Sequence, residues 1–560
     1  MNEKEQSNID NGSANLELVH QIISVLRNAD VTEFILCAGA RNSPFIVYFE
    51  ESLKGLSPDS FSLNISSLNK KIKTWNFFEE RSAAFFALGR IRSLGQPVAI
   101  ITTSGTAAAE LLPAAVEATY AGLPLIMITA DRPEEYRGSG APQTIEQIGI
   151  FSHYIEREFE LSISKKNLDF ENLSWKKPLH LNVSFAEPLI PKAEQLSALW
   201  NQSFSYKSED VKIKKMNGSI DTTNWNTIKN FFENRKPAVI LGALEDQDQT
   251  LVIGFLKKLG APIYAEAISQ LRGHPDLAHL QIKCGDSLLQ HACQENIIDS
   301  VVRIGGVPTL RLWRDLEERY RNFPVLSFSS SSFSGLARNS THIANLQILE
   351  DLHVVNLESH FESLFSLDRI RFEFIEKLFK DLPNSEPSLI HTLSLISKTE
   401  SIYLGNSLPI REWDFAASYE YCPQRVYGNR GANGIDGQIS TFLGWSNNKL
   451  PHWGVFGDLT TMYDLSAPWI TSQIPDHELR LVIINNQGGQ IFDRMFQRKA
   501  FLNSHEMQFI SWAHFWNWSY QLWKEIPVRP LLKKRQVIEI HPSNQQTYDF
   551  WKAHDGLWRR

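Results

Sequence analysis

Cysteine is scarce in this chain, and the four present, Cys37, Cys284, Cys293 and Cys422, show no CxxC spacing. Neither a disulfide framework nor a zinc site is implied, which fits a reducing, cytoplasmic location. Basic runs are missing too. With a net charge of −7, no polyanion-binding surface is expected, and so no nucleic-acid partner. No apolar run approaches the roughly 18 residues that a membrane span needs. The first twenty residues are polar and acidic without an apolar core, so no secretory signal is expected there. Short-period repeats and low-complexity tracts are absent. The dinucleotide fingerprint GxGxxG is found at no strand end, which counts against a nicotinamide enzyme.

What remains is an ordinary globular composition, 42% hydrophobic and 21% charged over 560 residues, long enough for three or four domains. Strand-length apolar runs alternate with amphipathic stretches throughout, the signature of parallel α/β domains. Phe34 to Leu36, Val98 to Ile101, Leu125 to Ile128 and Pro237 to Leu241 are such strands, and the first three end in small or polar residues. A polar, mixed-charge linker is expected over 205–222, and a second break around Asp381 to Pro387. Three doubly wound domains follow, near 1–204, 220–375 and 385–560. The aromatic stretch 512–523 reads as core or oligomer contact.

The most informative segment is 456–492. Asp458 leaves one apolar strand, and Asn486, 28 positions on, leaves another, Leu481 to Ile484. At the carboxyl ends of neighbouring parallel strands, a carboxylate and an amide oxygen suit a hard cation such as Mg²⁺ that bridges to phosphates. The same residues also suit turns at the ends of two buried strands. Glu80 lies between Phe77, Phe78, Phe85 and Phe86 at the start of a helix, where burial would raise its pKa. A carboxylate favoured by the helix dipole is the competing reading, and it fits Glu79 equally. Ser104-Gly105-Thr106 makes a tight strand-to-helix turn that allows either a ligand or close packing.

Nine segments, in order, carry a family resemblance: GARNSP (39–44), EERSAAFFALG (79–89), TTSGTAAAELLPAAVEA (102–118), ITADRPEE (128–135), FAEPL (185–189), GNSLPIR (405–411), NRGANGIDG (429–437), GDLTTMYDL (457–465) and NNQGGQIF (485–492). The chain resembles the 2-succinyl-5-enolpyruvyl-6-hydroxy-3-cyclohexene-1-carboxylate synthases, thiamine diphosphate enzymes of menaquinone and phylloquinone biosynthesis. The resemblance implies a pyrimidine-binding domain with a catalytic glutamate, a central domain, and a diphosphate- and metal-binding domain. The implied reaction decarboxylates 2-oxoglutarate and adds the succinyl unit to isochorismate. It also implies a homodimer or homotetramer with active sites at the subunit interface.

Residue by residue, Glu80 would bond N1′ of the cofactor's aminopyrimidine, so that the 4′-imino nitrogen can take the proton from thiazolium C2. Asp458, Asn486 and the carbonyl of Gly488 would hold Mg²⁺ or Mn²⁺. Ser104, Asn406, Ser407, Gly457 and Thr460 would contact thiamine diphosphate, and Ile435 would bend it. Both substrates are dicarboxylates, so several arginines are expected. Arg41, Arg132, Arg411 and Arg430 fall in matched motifs, Gln143 falls downstream of ITADRPEE where the family places a substrate-binding glutamine, and Arg311 where the family commonly has a lysine. Ile491 and Phe492 would wall the pocket. The competing reading for each arginine is a structural ion pair, and Arg132 beside Asp131 is the one expected to be shared between both roles.

Leu459 replaces the last glycine of GDG in the GDG-x-NN signature that thiamine diphosphate enzymes share, and two positions depart from the synthase pattern: Ala40 replaces a serine, and Pro142 replaces a residue that is commonly Asn. The last two each lose a hydrogen-bonding side chain, worth about 1 kcal/mol. An acetohydroxyacid synthase-like carboligase is the alternative enzyme, though pyruvate offers only one carboxylate to that arginine set. A non-catalytic thiamine-binding homologue is the other alternative, opposed by Glu80, Asp458 and Asn486.

Overall fold

The computed structural model describes residues 11–53, 72–196, 225–331, 333–420, 425–496 and 498–558. The expected linker over 205–222 and Cys422 lie outside them. Cys37, Cys284 and Cys293 are buried free thiols.

The chain forms three all-parallel sheets. The first contains β1 (Glu33–Cys37), β2 (Lys73–Phe77), β3 (Val98–Thr102), β4 (Leu125–Asp131), β5 (Arg157–Leu161) and β6 (Leu179–Ser184). Its order is β2-β1-β3-β4-β6-β5. β1, β3, β4 and β6 are buried at every position, because helices cover both faces of a parallel sheet and leave no polar face to alternate with.

The second sheet contains β7 (Pro237–Leu241), β8 (Ile263–Ala265), β9 (Ser300–Ile304), β10 (Val325–Phe328) and β11 (Thr341–Ile343). Their order is β11-β10-β9-β7-β8. The third contains β12 (Ser401–Leu404), β13 (Val426–Tyr427), β14 (His452–Gly457), β15 (Leu479–Ile484), β16 (Ser519–Trp523) and β17 (Arg535–Ile540), ordered β13-β12-β14-β15-β17-β16.

Counted within each sheet, the first and third share one order, 2-1-3-4-6-5. In both, the chain moves outward from the first strand to the second, then returns across the first to the third. Connections therefore diverge between first and third strands and leave a crevice at their carboxyl ends, where open α/β sheets bind ligands. In the first sheet those ends carry Arg41 and Ser104. In the third they carry Asn406 and Asp458.

Two compact units result: residues 1–217 with 431–446 and 464–475, and residues 218–430 with 447–463 and 476–560. The first therefore recruits two segments from late in the sequence. Helix Gln438–Trp445 lies against helix Glu80–Leu94 at backbone distance: a Cβ on Gly89 would stand 2.1 Å from the Thr441 carbonyl oxygen, and one on Gly444 2.2 Å from that of Phe86. Arg90 secures the crossing, donating to the Gly444 carbonyl at 3.1 Å while its Nε and Nη2 bind the buried Glu33 carboxylate at 2.8 and 2.7 Å.

Gly89→Ala isolates that contact. Alanine is the better helix former by about 1 kcal/mol, so a net loss must come from overpacking. The expected loss is about 1–3 kcal/mol, read from the urea midpoint; a stabilised variant would show that the crossing is loose.

Candidate functional site

In the first unit, the functional segments gather on the loops after β1, β3 and β4. Asn42 shapes the first loop, accepting from Gly39 N–H at 2.8 Å and donating to the Cys37 carbonyl at 2.9 Å. Arg41 is buried. Its N–H reaches Thr103 Oγ1 at 3.3 Å, and Nη1 lies 3.1 Å from the exposed Glu187 carboxylate.

Ser104 is buried in the β3 turn, and Gly105 follows with φ 84°. Gln143 covers this turn: a Cβ on Gly105 would stand 3.3 Å from Gln143 Cα. The brace is Gln147, which accepts from Gly105 N–H at 2.9 Å and donates to Asn182 Oδ1 at 2.8 Å.

Arg132 differs from expectation. Asp131 accepts from the Arg132 backbone N–H at 2.7 Å and from Asn182 at 2.9 Å. The Arg132 guanidinium instead donates to the Pro142 carbonyl at 3.4 Å and lies 5.4 Å from the Tyr136 ring centre. Its Nε is buried without a hydrogen-bond partner. A half-buried cation with an idle donor suits an anionic ligand better than a shared ion pair.

The two adjacent glutamates separate cleanly. Glu79 is the N-cap of helix Glu80–Leu94, accepting from Arg81 and Ser82 N–H at 3.0 Å each, so the helix-end role belongs to it. Glu80 is half-buried, and its pKa is raised, chiefly by desolvation and further by the charges of Glu79 and Glu110. The phenylalanines do not enclose it as a set: Phe85 and Phe86 are core, while Phe78 is 58% exposed and packs its edge on Trp469.

Ile435, half-buried, sits on the loop from Gly431 to Gly437. The two carboxylate oxygens of buried Glu117 accept from Gly431 and Ala432 N–H at 2.7 Å each. Gly437, φ 62°, closes the loop where a Cβ would overlap the Phe85 ring at 2.0 Å.

In the second unit, β14 and β15 pair so that Gly457 faces Ile484. Asp458 and Asn486 therefore leave adjacent strand ends, as the spacing predicts. Asp458 is buried; Oδ1 accepts from Leu459 N–H at 2.6 Å and Oδ2 from Gly488 N–H at 2.9 Å. Leu459 thus supplies a backbone donor, which any residue at the third position of the motif could supply. His505 Nε2 lies 3.2 Å from the same Oδ2. Burial nonetheless raises the Asp458 pKa, with these donors pulling it back.

Asn486 turns its amide nitrogen to Glu386, 3.1 and 3.0 Å from the two carboxylate oxygens. Gly488 has φ 135°, and its carbonyl accepts from Gln490 N–H at 2.9 Å, leaving a second lone pair. A carboxylate, an amide oxygen and a main-chain carbonyl are hard oxygen donors, the set that fits Mg²⁺ with phosphate and water completing its shell. Beside Asp458, Gly457 leaves room: a Cβ there meets only Thr460 Oγ1, at 3.9 Å. Thr460 itself is buried.

Across the switch point, buried Asn406 accepts from Arg430 Nη1 at 2.6 Å. Ser407 adopts φ 73° before helix Leu408–Ala416, and Arg411 Nη1 braces it, donating to its carbonyl at 2.6 Å. Desolvation, then the neighbouring Arg430 charge, lower the Arg411 pKa. Opposite charge comes from buried Glu266, which accepts from Thr309 N–H at 2.6 Å and Oγ1 at 2.9 Å, and whose own pKa burial raises.

Arg311 starts helix Arg311–Glu318 and bonds Asp315 one turn on at 2.9 Å, an ion pair within its own helix. Arg314, exposed, is the residue of that helix whose charge bears on Arg411. Ile491 is half-buried. Phe492 is 38% exposed, with ring centres of Phe496 and Phe501 at 6.1 and 6.2 Å.

Asp131, Gln147, Glu117, Glu266, Glu386 and His505 are the polar residues that residue-by-residue reading did not assign to holding the site. Glu117 and Asp131 lie in matched segments, and Glu386 lies in the helix-start sequence Ser385-Glu386-Pro387, which indicated only a break.

Sheets, strand-end donors and glycine turns together define a thiamine diphosphate-dependent enzyme. Residues 16–150 match the family described as thiamine pyrophosphate enzyme, N-terminal TPP binding domain. Three relatives carry the name 2-succinyl-5-enolpyruvyl-6-hydroxy-3-cyclohexene-1-carboxylate synthase. The Bdellovibrio bacteriovorus protein is 47% identical over 97% of this chain and 99% of its own. Those from Akkermansia muciniphila and Staphylococcus saprophyticus are 35% and 30% identical, over 92% and 86% of this chain and 94% and 84% of theirs. The chain belongs to this synthase family. No helix among the described residues is long and apolar enough to cross a membrane.

Burial also makes part of the site pH-sensitive. Asp414 accepts from Ala267 N–H at 2.7 Å, and burial with the Glu266 charge pushes its pKa up to about 7. Its folded value exceeds the unfolded one, so its contribution is full below about pH 4 and is lost as pH rises toward 7. Relative to Asp414→Asn, the wild type should lose stability between about pH 4 and 7, by at most about 1.4 kcal/mol per pH unit. Urea unfolding of both proteins at three pH values checks this; parallel profiles would mean that Asp414 stays ionised.

Proposed function

We propose that this protein joins the four-carbon remainder of 2-oxoglutarate, after loss of CO₂, to isochorismate, giving 2-succinyl-5-enolpyruvyl-6-hydroxy-3-cyclohexene-1-carboxylate. The observation that carries the reading is the pair Arg411 and Arg430. Arg430 donates to Asn406 and Arg411 to the carbonyl of the next residue, Ser407, which brings both side chains to one strand end in the unit that also bears Asp458 and Asn486. Two guanidiniums held at one strand end suit a ligand with more than one carboxylate. Pyruvate offers only one.

Bound thiamine diphosphate supplies the electron sink for decarboxylation and the carbon nucleophile for addition. The chain's own groups hold and orient. Asp458, Asn486 and the Gly488 carbonyl bind Mg²⁺ or Mn²⁺, with Gly457 and Thr460 beside them for the diphosphate and Asn406 and Ser407 across the switch point. Glu80 holds a proton at N1′ of the aminopyrimidine, a task helped by the raised pKa of its half-buried carboxyl. Ser104 lies on the β3 turn against the cofactor, and Ile435 props it. Arg41, Arg132 and Gln143 take carboxylates of the substrates, with Ile491 and Phe492 as apolar wall. Arg311 reaches substrate only by leaving Asp315. Ala40 and Pro142 tune affinity without removing a reacting group.

In this reading the three sheets are the cores of the pyrimidine-binding, central and diphosphate-binding domains, near 1–204, 220–375 and 385–560. The enzyme acts in the cytoplasm as a homodimer or homotetramer.

Incubation with thiamine diphosphate, Mg²⁺, 2-oxoglutarate and isochorismate should yield the succinylated product by mass spectrometry only when all four are present. Replacing 2-oxoglutarate by pyruvate should yield none; turnover of pyruvate would reassign the enzyme as an acetohydroxyacid synthase-like carboligase. Glu80→Gln should lower kcat at least about 10²-fold with cofactor affinity little changed. Full activity in that variant would reject the proton-holding role.

A further inference from the structure

Asn486 is the one proposed cation ligand whose side chain has two chemically different ends. Oδ1 can bind a cation; Nδ2 cannot. Which end faces the site is set by what lies behind, and there the structure places Glu386, with both carboxylate oxygens about the amide nitrogen at 3.1 and 3.0 Å. Reversing the amide would set its oxygen against two acceptors, so this orientation is enforced by like-charge repulsion as well as by hydrogen bonding.

Glu386 is itself firmly held. It is buried in the first turn of helix Glu386–Ile396, its N–H donates to Thr547 Oγ1 at 2.9 Å, and Ser385 caps the helix. Its second neighbour is Glu412, from helix Leu408–Ala416, also buried.

We propose that Glu386 is the positioning residue of the cation site, fixing Asn486 with its oxygen toward the metal. The inference rests on the reading of Asp458, Asn486 and Gly488 as cation ligands and adds a residue that touches neither cofactor nor substrate. Supporting groups behind metal ligands commonly govern affinity by about 10- to 100-fold.

The test is calorimetric titration of Mg²⁺ into the full chain at fixed thiamine diphosphate, alongside kcat at saturating Mg²⁺. Glu386→Leu leaves the amide free to turn and should weaken apparent Mg²⁺ affinity about 10- to 100-fold. Glu386→Gln keeps one acceptor oxygen at the same volume and should lose less, about 3- to 10-fold. In both, kcat should recover to within about threefold of wild type once Mg²⁺ saturates, a split that general loosening of the fold would not produce. Should Glu386→Leu fail to fold, Glu386→Gln decides alone: affinity within twofold of wild type, or kcat lost with affinity unchanged, overturns the proposal. Asp458→Ala separates the two readings. If it retains Mg²⁺ affinity, the cation site itself is wrong. If it loses affinity while Glu386→Gln does not, only the positioning role falls.

Discussion

The register between β14 and β15 is the constraint on which the second unit's site depends. With Gly457 opposite Ile484, the chain emerges from both strands at one level, and Gly488 N–H can reach Asp458 Oδ2 at 2.9 Å. A slip of one residue would turn Asp458 to the other face and break that bond. The strands hold register because they are mostly apolar and buried at every position but Gly457, so a slip would disrupt core packing. Position and chemistry of the strand-end donors thus follow from hydrophobic packing several residues away. Buried Glu539 extends the control one residue back, accepting from Asn485 Nδ2 at 2.7 Å and from Phe509 N–H at 2.8 Å, which ties the loop to its neighbour.

Carboxylates recur as brackets for loops. Glu117 takes two N–H groups of the Gly431 loop, Asp131 anchors the start of the Arg132 segment, Glu266 holds Thr309, and Glu386 holds Asn486. Each is buried, so its cost is desolvation, offset by charge-assisted hydrogen bonds. Strain accompanies them: Gln143, Ser407, Asn433 and Gln487 take positive φ without being glycine. Such backbones cost about 1–3 kcal/mol each and persist only where surroundings over-determine them. Loops braced by buried acids provide such surroundings, and Ser407, Asn433 and Gln487 lie in the segments that carry the family resemblance.

The sequence made the strands and their carboxyl ends readable because parallel strands buried on both faces are continuous apolar runs. Phe34 to Leu36, Val98 to Ile101 and Leu481 to Ile484 all lie within observed strands. The pairing of Asp458 with Asn486 was readable for the same reason. The braces were not, because a glutamate that bonds a loop 314 positions away, as Glu117 does with Gly431, has no local pattern. Nor does adjacency in sequence reveal the partner of Asp131: at the end of β4 its carboxylate turns back to the Arg132 backbone N–H. Glu79 and Glu80 could be separated only by φ and ψ at the helix start, which composition does not encode.

The composition of the first unit has a bearing on how the protein is made. Its helix Glu80–Leu94 presents Gly89 to a partner that does not exist until the ribosome has added residues 438–445, and the unit is complete only at Pro475. Most of the second unit's chain is thus translated before the first can close. That face of the helix stays uncovered on the nascent chain for about 350 residues of synthesis, at roughly 5–20 residues per second. The order of translation and the order of packing are different, so this unit is completed only after most of the second unit's chain has been made.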